Sequence, residues 1–160
     1  MYGRILVPVD GSALAEQVLP HVEALAEKFR STVILLRATT PPGMIIAGSA
    51  AGAQPLAGGV VDPTPIVEAE RQEAATYLQA LGDRLRQKGL AVEYERAEGP
   101  AAEIIAERAR SLGVDLIAMT THGRGGLGRL VFGSVADAVL RNAPCPILLV
   151  RASEDSAHRA

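Results

Sequence analysis

The stretch Arg4-Ile-Leu-Val-Pro-Val-Asp-Gly-Ser12 decides the fold class. Its opening part, from Arg4 to Val9, is a near-continuous apolar run, which predicts a strand buried on both faces, as in a parallel sheet. Asp-Gly-Ser is ordinary turn chemistry, and Ser12 is suited to cap a following helix. A buried strand that leads through a short turn into a helix is the start of a β-α-β unit.

Apolar runs and helical spacing alternate in the same way to the end of the chain. Strands are predicted over Arg4–Val9, Thr32–Ala38, Leu90–Ala97, Val114–Met119 and Pro146–Val150. Helices are predicted around Leu14–Phe29, Ala74–Leu85, Ile104–Leu112 and Phe132–Leu140. Pro20 is expected to kink the first helix because it removes one backbone hydrogen bond. This order predicts a single-domain, doubly wound α/β fold, a five-stranded parallel sheet with helices on both faces.

A chain of 160 residues is long enough for one domain with one buried core. We expect that domain to span residues 1–151. Residues 39–65 hold five Pro and five Gly among small residues, with Asp62 as the only charge, which predicts a long flexible loop. The polar residues 152–160 are predicted to form a disordered tail.

Bulk charge excludes some classes of partner. The formal net charge is -2, from 16 basic and 18 acidic residues, so neither nucleic acid nor an anionic membrane is an expected partner, and any anion site must be local.

No apolar stretch approaches the ~20 residues of a membrane span, and the first residues lack a signal-peptide layout. Cys145 is the only cysteine and the histidines share no metal-ligand spacing. These features favour the cytoplasm.

The Gly-rich stretch from Thr120 to Ser134 is the best candidate for such a local site. It holds four closely spaced glycines and two arginines, and no acid occurs between His122 and Ala136. Glycines let backbone N–H groups face an anion, and Gly133-Ser134 lies at a predicted helix start, where the dipole favours phosphate. The stretch therefore suits a polyphosphate. The alternative is a flexible connector with solvated arginines.

Two standard phosphate motifs overlap this stretch but do not fit their context. Gly123-x-Gly125-x-x-Gly128 has the dinucleotide pattern, yet it follows strand four and no acid ends a strand about 20 residues later. Gly123-x4-Gly128 resembles a P-loop, but Arg129-Leu130 stand where Lys and Ser/Thr are required.

A third pattern fits. His122-Gly123, nine residues and then Gly133-Ser134 resemble the ATP signature of the universal stress protein family, Gly-x-x-Gly-x9-Gly-Ser/Thr. The opening stretch and Asn142-Ala-Pro-Cys-Pro-Ile-Leu-Leu-Val150 agree, so the resemblance covers about residues 4–150. It implies strand order 3-2-1-4-5 and an ATP-binding stress-response module or switch. It also implies a homodimer formed through Pro146–Val150. The strand ends supply no Ser/His/acid or Cys/His set, so no enzyme is expected beyond slow incidental ATP hydrolysis.

The resemblance also implies which residues contact the adenine nucleotide. The base would lie against Pro8, Val9 and Ala38, with Asp10 at the ribose or adenine end. Ribose and phosphates would be surrounded by residues at the end of strand four, in the stretch after it and at the start of the last helix, namely Met119, Thr120, His122, Gly123, Arg124, Gly133, Ser134 and Val135. Any Mg²⁺ or Mn²⁺ would be bound mainly through the phosphates, assisted by Asp10.

Thr120 departs from the signature because it replaces the first glycine with a branched side chain. This position favours an alternative function, a stress protein that binds no nucleotide and acts only as a protein-interaction dimer. Three site residues also have structural alternatives, since Asp10 is suited to hold a turn, Ser134 to cap a helix, and His122 to be a polar core residue with satisfied hydrogen bonds. The pattern leaves open whether ATP, AMP or cyclic AMP is preferred.

Overall fold

The computed structural model describes residues 1–39, 64–122 and 133–152. The strands in these ranges are β1 (Arg4–Pro8), β2 (Thr32–Thr39), β3 (Ala91–Glu98), β4 (Leu116–His122) and β5 (Ile147–Ala152). The helices are α1 (Ala13–Glu16), α2 (Leu19–Phe29), α3 (Thr64–Gln87), α4 (Ala101–Ser111) and α5 (Ser134–Asn142).

The five strands form one parallel sheet in the order β3-β2-β1-β4-β5. β1 is the central strand, and Ile5 pairs with Val33 of β2 on one side and with Leu116 of β4 on the other. The predicted fold class and strand order are therefore confirmed. β3 and β5 are the two edge strands.

Helices cover both faces of the sheet, so the sheet lies between two apolar cores. On one face, α2 and α3 pack on the side chains of Ile5, Val7, Val33 and Leu35. On the other face, α4 and α5 pack on Leu6, Ile34, Leu36, Ile117 and Met119. Neighbouring residues of β1 alternate between the two cores, which explains why its sequence is apolar from Ile5 onward.

The structure corrects the prediction that Pro20 kinks one long helix. The segment contains two helices, because α1 ends at Glu16 and α2 begins at Leu19, with Val18 as its N-cap. Pro20 therefore lies in the first turn of α2. The missing N–H of proline has no intrahelical partner in a first turn, so proline fits there at little cost.

Three other elements extend beyond their predicted limits. β4 begins at Leu116 and continues to His122, three residues past its expected end at Met119. α3 begins at Thr64, ten residues before the expected start at Ala74, because its first turns are polar and bury only Val67, one heptad ahead of Ala74. β5 continues to Ala152 because its last residues still pair with Thr121 and His122 of β4.

The predicted loop and tail fall mainly outside the described residues. Thr39, the first residue of the predicted loop, is the last residue of β2. Thr64 and Pro65, the last two residues of the predicted loop, are the first two residues of α3. Ala152, the first residue of the predicted tail, ends β5. The rest of both segments, residues 40–63 and 153–160, lies outside the described ranges.

We expect Ile117→Ala to lower the free energy of unfolding by about 2–5 kcal/mol, because it removes a fully buried side chain from the centre of the sheet and leaves a cavity. Ile117→Val should cost about 1 kcal/mol. The matched control is Ile66→Ala on α3, where the side chain is 52% exposed. Urea denaturation of the three variants measures the differences, and equal losses at positions 117 and 66 would contradict this description of the core.

Candidate functional site

A cavity of about 600 Å³ opens at the carboxyl ends of β1, β2 and β4. This is the point where the strand order reverses, because the chain leaves β1 for β2 on one side while β4 lies on the other. Open α/β sheets bind their ligands there, and the volume matches that of small-molecule pockets, about 300–1,000 Å³. The cavity is lined by Pro8, Val9, Asp10, Ser12, Leu14, Ala15, Leu36, Ala38, Ala101, Ile105, Met119, Thr120, Gly133, Ser134, Val135 and Ala136.

Nine of the twelve residues predicted from the sequence line this one cavity. They are Pro8, Val9, Asp10, Ala38, Met119, Thr120, Gly133, Ser134 and Val135. His122 is the last residue of β4, where its backbone pairs with Ala152. Gly123 and Arg124 lie outside the described residues, as does the rest of the Gly-rich stretch up to residue 132. The prediction therefore brought together residues that are far apart in the sequence.

The sequence analysis missed the apolar floor and part of the rim of the cavity. The missed residues are Ser12, Leu14, Ala15, Leu36, Ala101, Ile105 and Ala136. Ile105 and Leu36 also belong to the core of that face of the sheet, so their sequence pattern is that of ordinary core residues. The only signal that marks them is position, since Leu36 lies in the second half of β2 and Ile105 lies near the start of α4.

The turn after β1 is held by its own side chains. The Ser12 N–H donates to Oδ1 of Asp10 at 2.9 Å, and the Ala15 N–H donates to Oγ of Ser12 at 3.1 Å, which caps α1. Asp10 therefore has the turn role that was its structural alternative, and it also lines the cavity. The two roles are compatible, because a carboxylate has about four acceptor positions.

Helix α1 is attached to α3 beneath this turn. The hydroxyl of Tyr77 donates to Glu16 Oε1 at 3.0 Å, and Arg84 pairs with the same carboxylate. Burial, the charge of Glu16 and the hydrogen bond to it raise the pKa of Tyr77 above its ordinary value. The phenol therefore stays protonated at neutral pH and remains a donor that holds α1 in place.

The opposite wall of the cavity is the N-terminus of α5. Gly133 is the N-cap residue, and within the described part of the chain no side chain hydrogen-bonds this helix end. Ser134 is exposed, and the cavity is lined by the whole first turn of the helix. Because the first N–H groups of a helix have no intrahelical partner, this end is suited to an anion. The structural alternative for Ser134, a helix N-cap, is wrong, since Gly133 occupies that position.

Between these two polar ends, the wall of the cavity is apolar. Leu36 and Ala38 come from β2, Met119 from β4 and Ile105 from α4. Thr120 lines the cavity too and is only 7% exposed. A flat apolar ring has room against this wall, while Thr120 places a Cβ and a hydroxyl where the signature of the family has hydrogen.

The described residues provide neither a ligand set for a tightly bound metal ion nor a reactive thiol. Among them, no group of three or more His, Cys, Asp or Glu side chains could hold a metal ion. Asp10 is the one acid that lines the cavity in the described ranges. Cys145 is half-buried, and burial raises the pKa of its thiol, which disfavours the thiolate. Within residues 1–39, 64–122 and 133–152, the helices lack the combined length and apolar character needed to cross a bilayer.

Comparison with known proteins agrees with the fold. Residues 1–151 match the model of the universal stress protein family. The universal stress protein MJ0531 of Methanocaldococcus jannaschii is 30% identical over 151 residues, which cover 94% of this chain and 83% of that protein. The solved structure of MJ0577 from the same organism has a TM-score of 0.77 at 27% identity, covering 96% and 99% of the two chains.

A more distant structure shares the fold. It is a universal stress protein family protein of Arabidopsis thaliana with AMP bound, with a TM-score of 0.65 at 12% identity. The alignment covers 96% of this chain and 94% of that one.

Proposed function

Because the chain belongs to the universal stress protein family, we propose that it binds an adenine nucleotide, first of all ATP, in the cavity at the carboxyl ends of β1, β2 and β4. The single observation that carries this proposal is the layout of the cavity. Asp10 lies at one end, an apolar wall lies in the middle, and the α5 N-terminus lies at the other end. A nucleotide has the same sequence of chemical groups.

The apolar wall suits the base. A purine has two flat apolar faces, and here Val9, Ala38 and Met119 offer apolar side chains without a charge among them. Ala38 is the smallest of the three, so it leaves depth for a bicyclic ring. Pro8, at the end of β1, extends the same wall towards the turn that carries Asp10.

The ribose and the phosphates suit the two polar ends. A carboxylate accepts hydrogen bonds from ribose hydroxyls, which assigns Asp10 to the sugar. The N–H groups of the first turn of α5, with the hydroxyl of Ser134, assign the outer phosphates to Gly133, Ser134 and Val135. We assign His122, Gly123 and Arg124 to the ribose and inner phosphates on the family signature alone.

The same layout favours a switch over a catalyst. Asp10 as the one acid among the described lining residues suits a Mg²⁺ or Mn²⁺ ion held mainly by phosphate oxygens, since Mg²⁺ keeps few protein ligands in such sites. At most, slow incidental ATP hydrolysis is expected. Nucleotide binding would instead favour one conformation of the chain over another, and so change its contacts with other proteins. We propose residues 1–151 as the unit that does this, which the family match over those residues supports.

We further propose a homodimer formed through β5. This strand lies at one edge of the sheet, and Ile147, Leu148, Leu149 and Val150 are all half-exposed apolar residues. An apolar edge strand presents unpaired backbone groups to a partner. The other edge strand, β3, carries several charges, which is the usual protection against such pairing.

We propose the cytoplasm as the compartment of the protein. The absence of a cysteine pair agrees with this proposal.

The second candidate function is a protein-interaction dimer that binds no nucleotide. Thr120 is the observation that favours it, because its branched side chain is buried at the cavity wall. This candidate keeps the β5 interface and makes the cavity an unused remnant. The experiments on Ser134 and Thr120 below distinguish the two candidates.

We expect saturable ATP binding at or below millimolar concentration, and Ser134→Asp should weaken it by about tenfold or more, because it places a negative charge beside the phosphates. An acid in the first turn of a helix favours the helix, so loss of binding would not reflect unfolding. Gln79→Glu, an exposed site on α3, adds the same charge elsewhere and should change nothing. Isothermal titration calorimetry measures all three proteins. Unchanged affinity in Ser134→Asp would mean that the triphosphate lies elsewhere, and no ATP binding by the parent chain would favour the second candidate.

Thr120→Gly restores the family signature, and we expect it to bind ATP more tightly than the parent chain, because it removes a side chain from the cavity wall. The substitution should also cost about 1 kcal/mol of stability, since glycine weakens a strand interior. Thr121→Gly, the next position of β4, carries the same backbone cost and serves as the control. If Thr120→Gly and Thr121→Gly bind ATP equally, Thr120 does not restrict the site.

Val150→Lys should convert a dimer to a monomer, because a charged edge strand resists pairing with a second copy. Tyr94→Lys introduces the same residue on the exposed part of the other edge strand, β3, and should leave the dimer intact. Sedimentation equilibrium over a range of concentrations measures the association. A monomeric parent chain, or equal dissociation in both variants, would refute the proposed interface.

A further inference from the structure

Arg37 is a charged side chain on the hidden side of the cavity wall. It lies on β2 between Leu36 and Ala38, both of which line the cavity. Successive side chains of a strand point to opposite faces, so Arg37 lies on the face of Leu35, which packs in the core beneath α2 and α3. The residue is therefore next to the proposed nucleotide but turned away from it.

The guanidinium of Arg37 lies directly against the turn that carries Asp10. A Cβ built on Gly11 would be 3.3 Å from Nη1 of Arg37 and 3.8 Å from its Cζ. Gly11 has a φ of +85°, a conformation that favours glycine on its own account. The turn thus rests on the flat guanidinium group, and both the backbone angle and the close contact suit glycine at this position.

Two nitrogens of the Arg37 guanidinium lack the hydrogen bonds that would explain their burial. Its Nε and Nη1 are buried, and within the described part of the chain neither has a hydrogen-bond partner. The Oγ1 atom of Thr39, on the same face two residues later, is buried without one as well. Burying unpaired polar atoms is unfavourable. Polar groups placed this way point to a role beyond the stability of the core.

The charges near Arg37 indicate what that role is. The pKa of Tyr77 depends on burial and on three charged neighbours. Burial is the largest cause of its rise, the carboxylates of Glu16 and Asp10 raise it further, and Arg37 lowers it. The guanidinium, the two carboxylates and the phenol therefore form one cluster below the turn, and Arg84 completes it from α3. Within this cluster, Arg37 is the cation that contacts the turn itself.

We propose that Arg37 is a positioning residue that supports the Asp10–Ser12 turn from below and so sets the Asp10 carboxylate at the ribose of the bound nucleotide. It touches no ligand and acts through Gly11 and the charge of Asp10. Loss of the guanidinium would let the turn settle into the space beneath it and would move the Asp10 carboxylate. The inference rests on the proposed nucleotide site and deepens it.

The test compares ATP with 2′,3′-dideoxy-ATP, which lacks the ribose hydroxyls that Asp10 would bind. Arg37→Met keeps an unbranched side chain and removes the charge. We expect it to weaken the binding of ATP by about tenfold and to leave the affinity for 2′,3′-dideoxy-ATP nearly unchanged. Arg37→Lys should recover part of the preference for ATP. Arg96→Met is the matched control, because Arg96 pairs with Arg37 in register on β3, is exposed, and bonds to the Arg71 carbonyl oxygen.

A second measurement reads the turn in the absence of nucleotide. Hydrogen exchange of the Ser12 amide, which donates to Asp10, should be faster in Arg37→Met and unchanged in Arg96→Met. If the parent chain binds no ATP but the exchange differs, the proposed function fails while Arg37 still supports the turn. If ATP binds, and Arg37→Met weakens both nucleotides equally or leaves the Ser12 exchange unchanged, the positioning role is wrong and the nucleotide site stands.

Discussion

The structure depends on the burial of one strand on both faces. β1 lies at the centre of the sheet, and its side chains alternate between the two apolar cores. A strand of this kind requires a neighbour on each side and helices above and below, which α2 to α5 and the four other strands supply. Because the chain can leave β1 in only one direction, the strand on its other side must return from later in the sequence. That return produces the reversal of strand order, and with it the cavity.

The two characters of the cavity follow from the elements that meet there. Strand ends contribute apolar side chains, because the same strands must bury their interior, as Leu36 and Met119 do in the core below α4 and α5. Helix starts contribute unpaired N–H groups, because the first turn of any helix lacks intrahelical partners. An apolar floor and a polar rim are thus a consequence of the topology. What distinguishes this chain is the choice of Asp10 at one rim and an uncapped Gly133 at the other.

The order of elements and the fold were predictable from the sequence, and their limits were less so. The apolar run from Arg4 to Val9 has one physical interpretation, a strand buried on both faces. Pro20 had two, a kinked helix or a new first turn, and local sequence does not distinguish them, because proline is compatible with both. The early start of α3 was hidden because Val67 is its only buried residue before Ala74.

Residues of the candidate site were predicted where their type is unusual for a strand end or a helix start. They were missed where their type is the one expected of a core residue. Asp10, Gly133 and Ser134 stand out because acids, glycines and hydroxyls need a reason at the end of a buried strand or the start of a helix. Ile105 and Leu36 have the same apolar pattern whether they face another helix or a cavity. The difference is set by whether a neighbour fills the space, which depends on distant parts of the chain.

Buried polar residues identify the same edge of the sheet by an independent route. Thr39, Thr120 and Thr121 are buried polar residues at the carboxyl ends of β2 and β4. Arg37 adds two buried, unpaired nitrogens to that edge, whereas Ser31 and single buried Nε atoms of Arg4 and Arg108 lie elsewhere in the described ranges. A sheet optimised only for stability would carry apolar residues at these strand ends, as it does along β1. Departures from local rules are expected where function sets the residue type, so these residue types support the proposed site on grounds separate from any sequence signature.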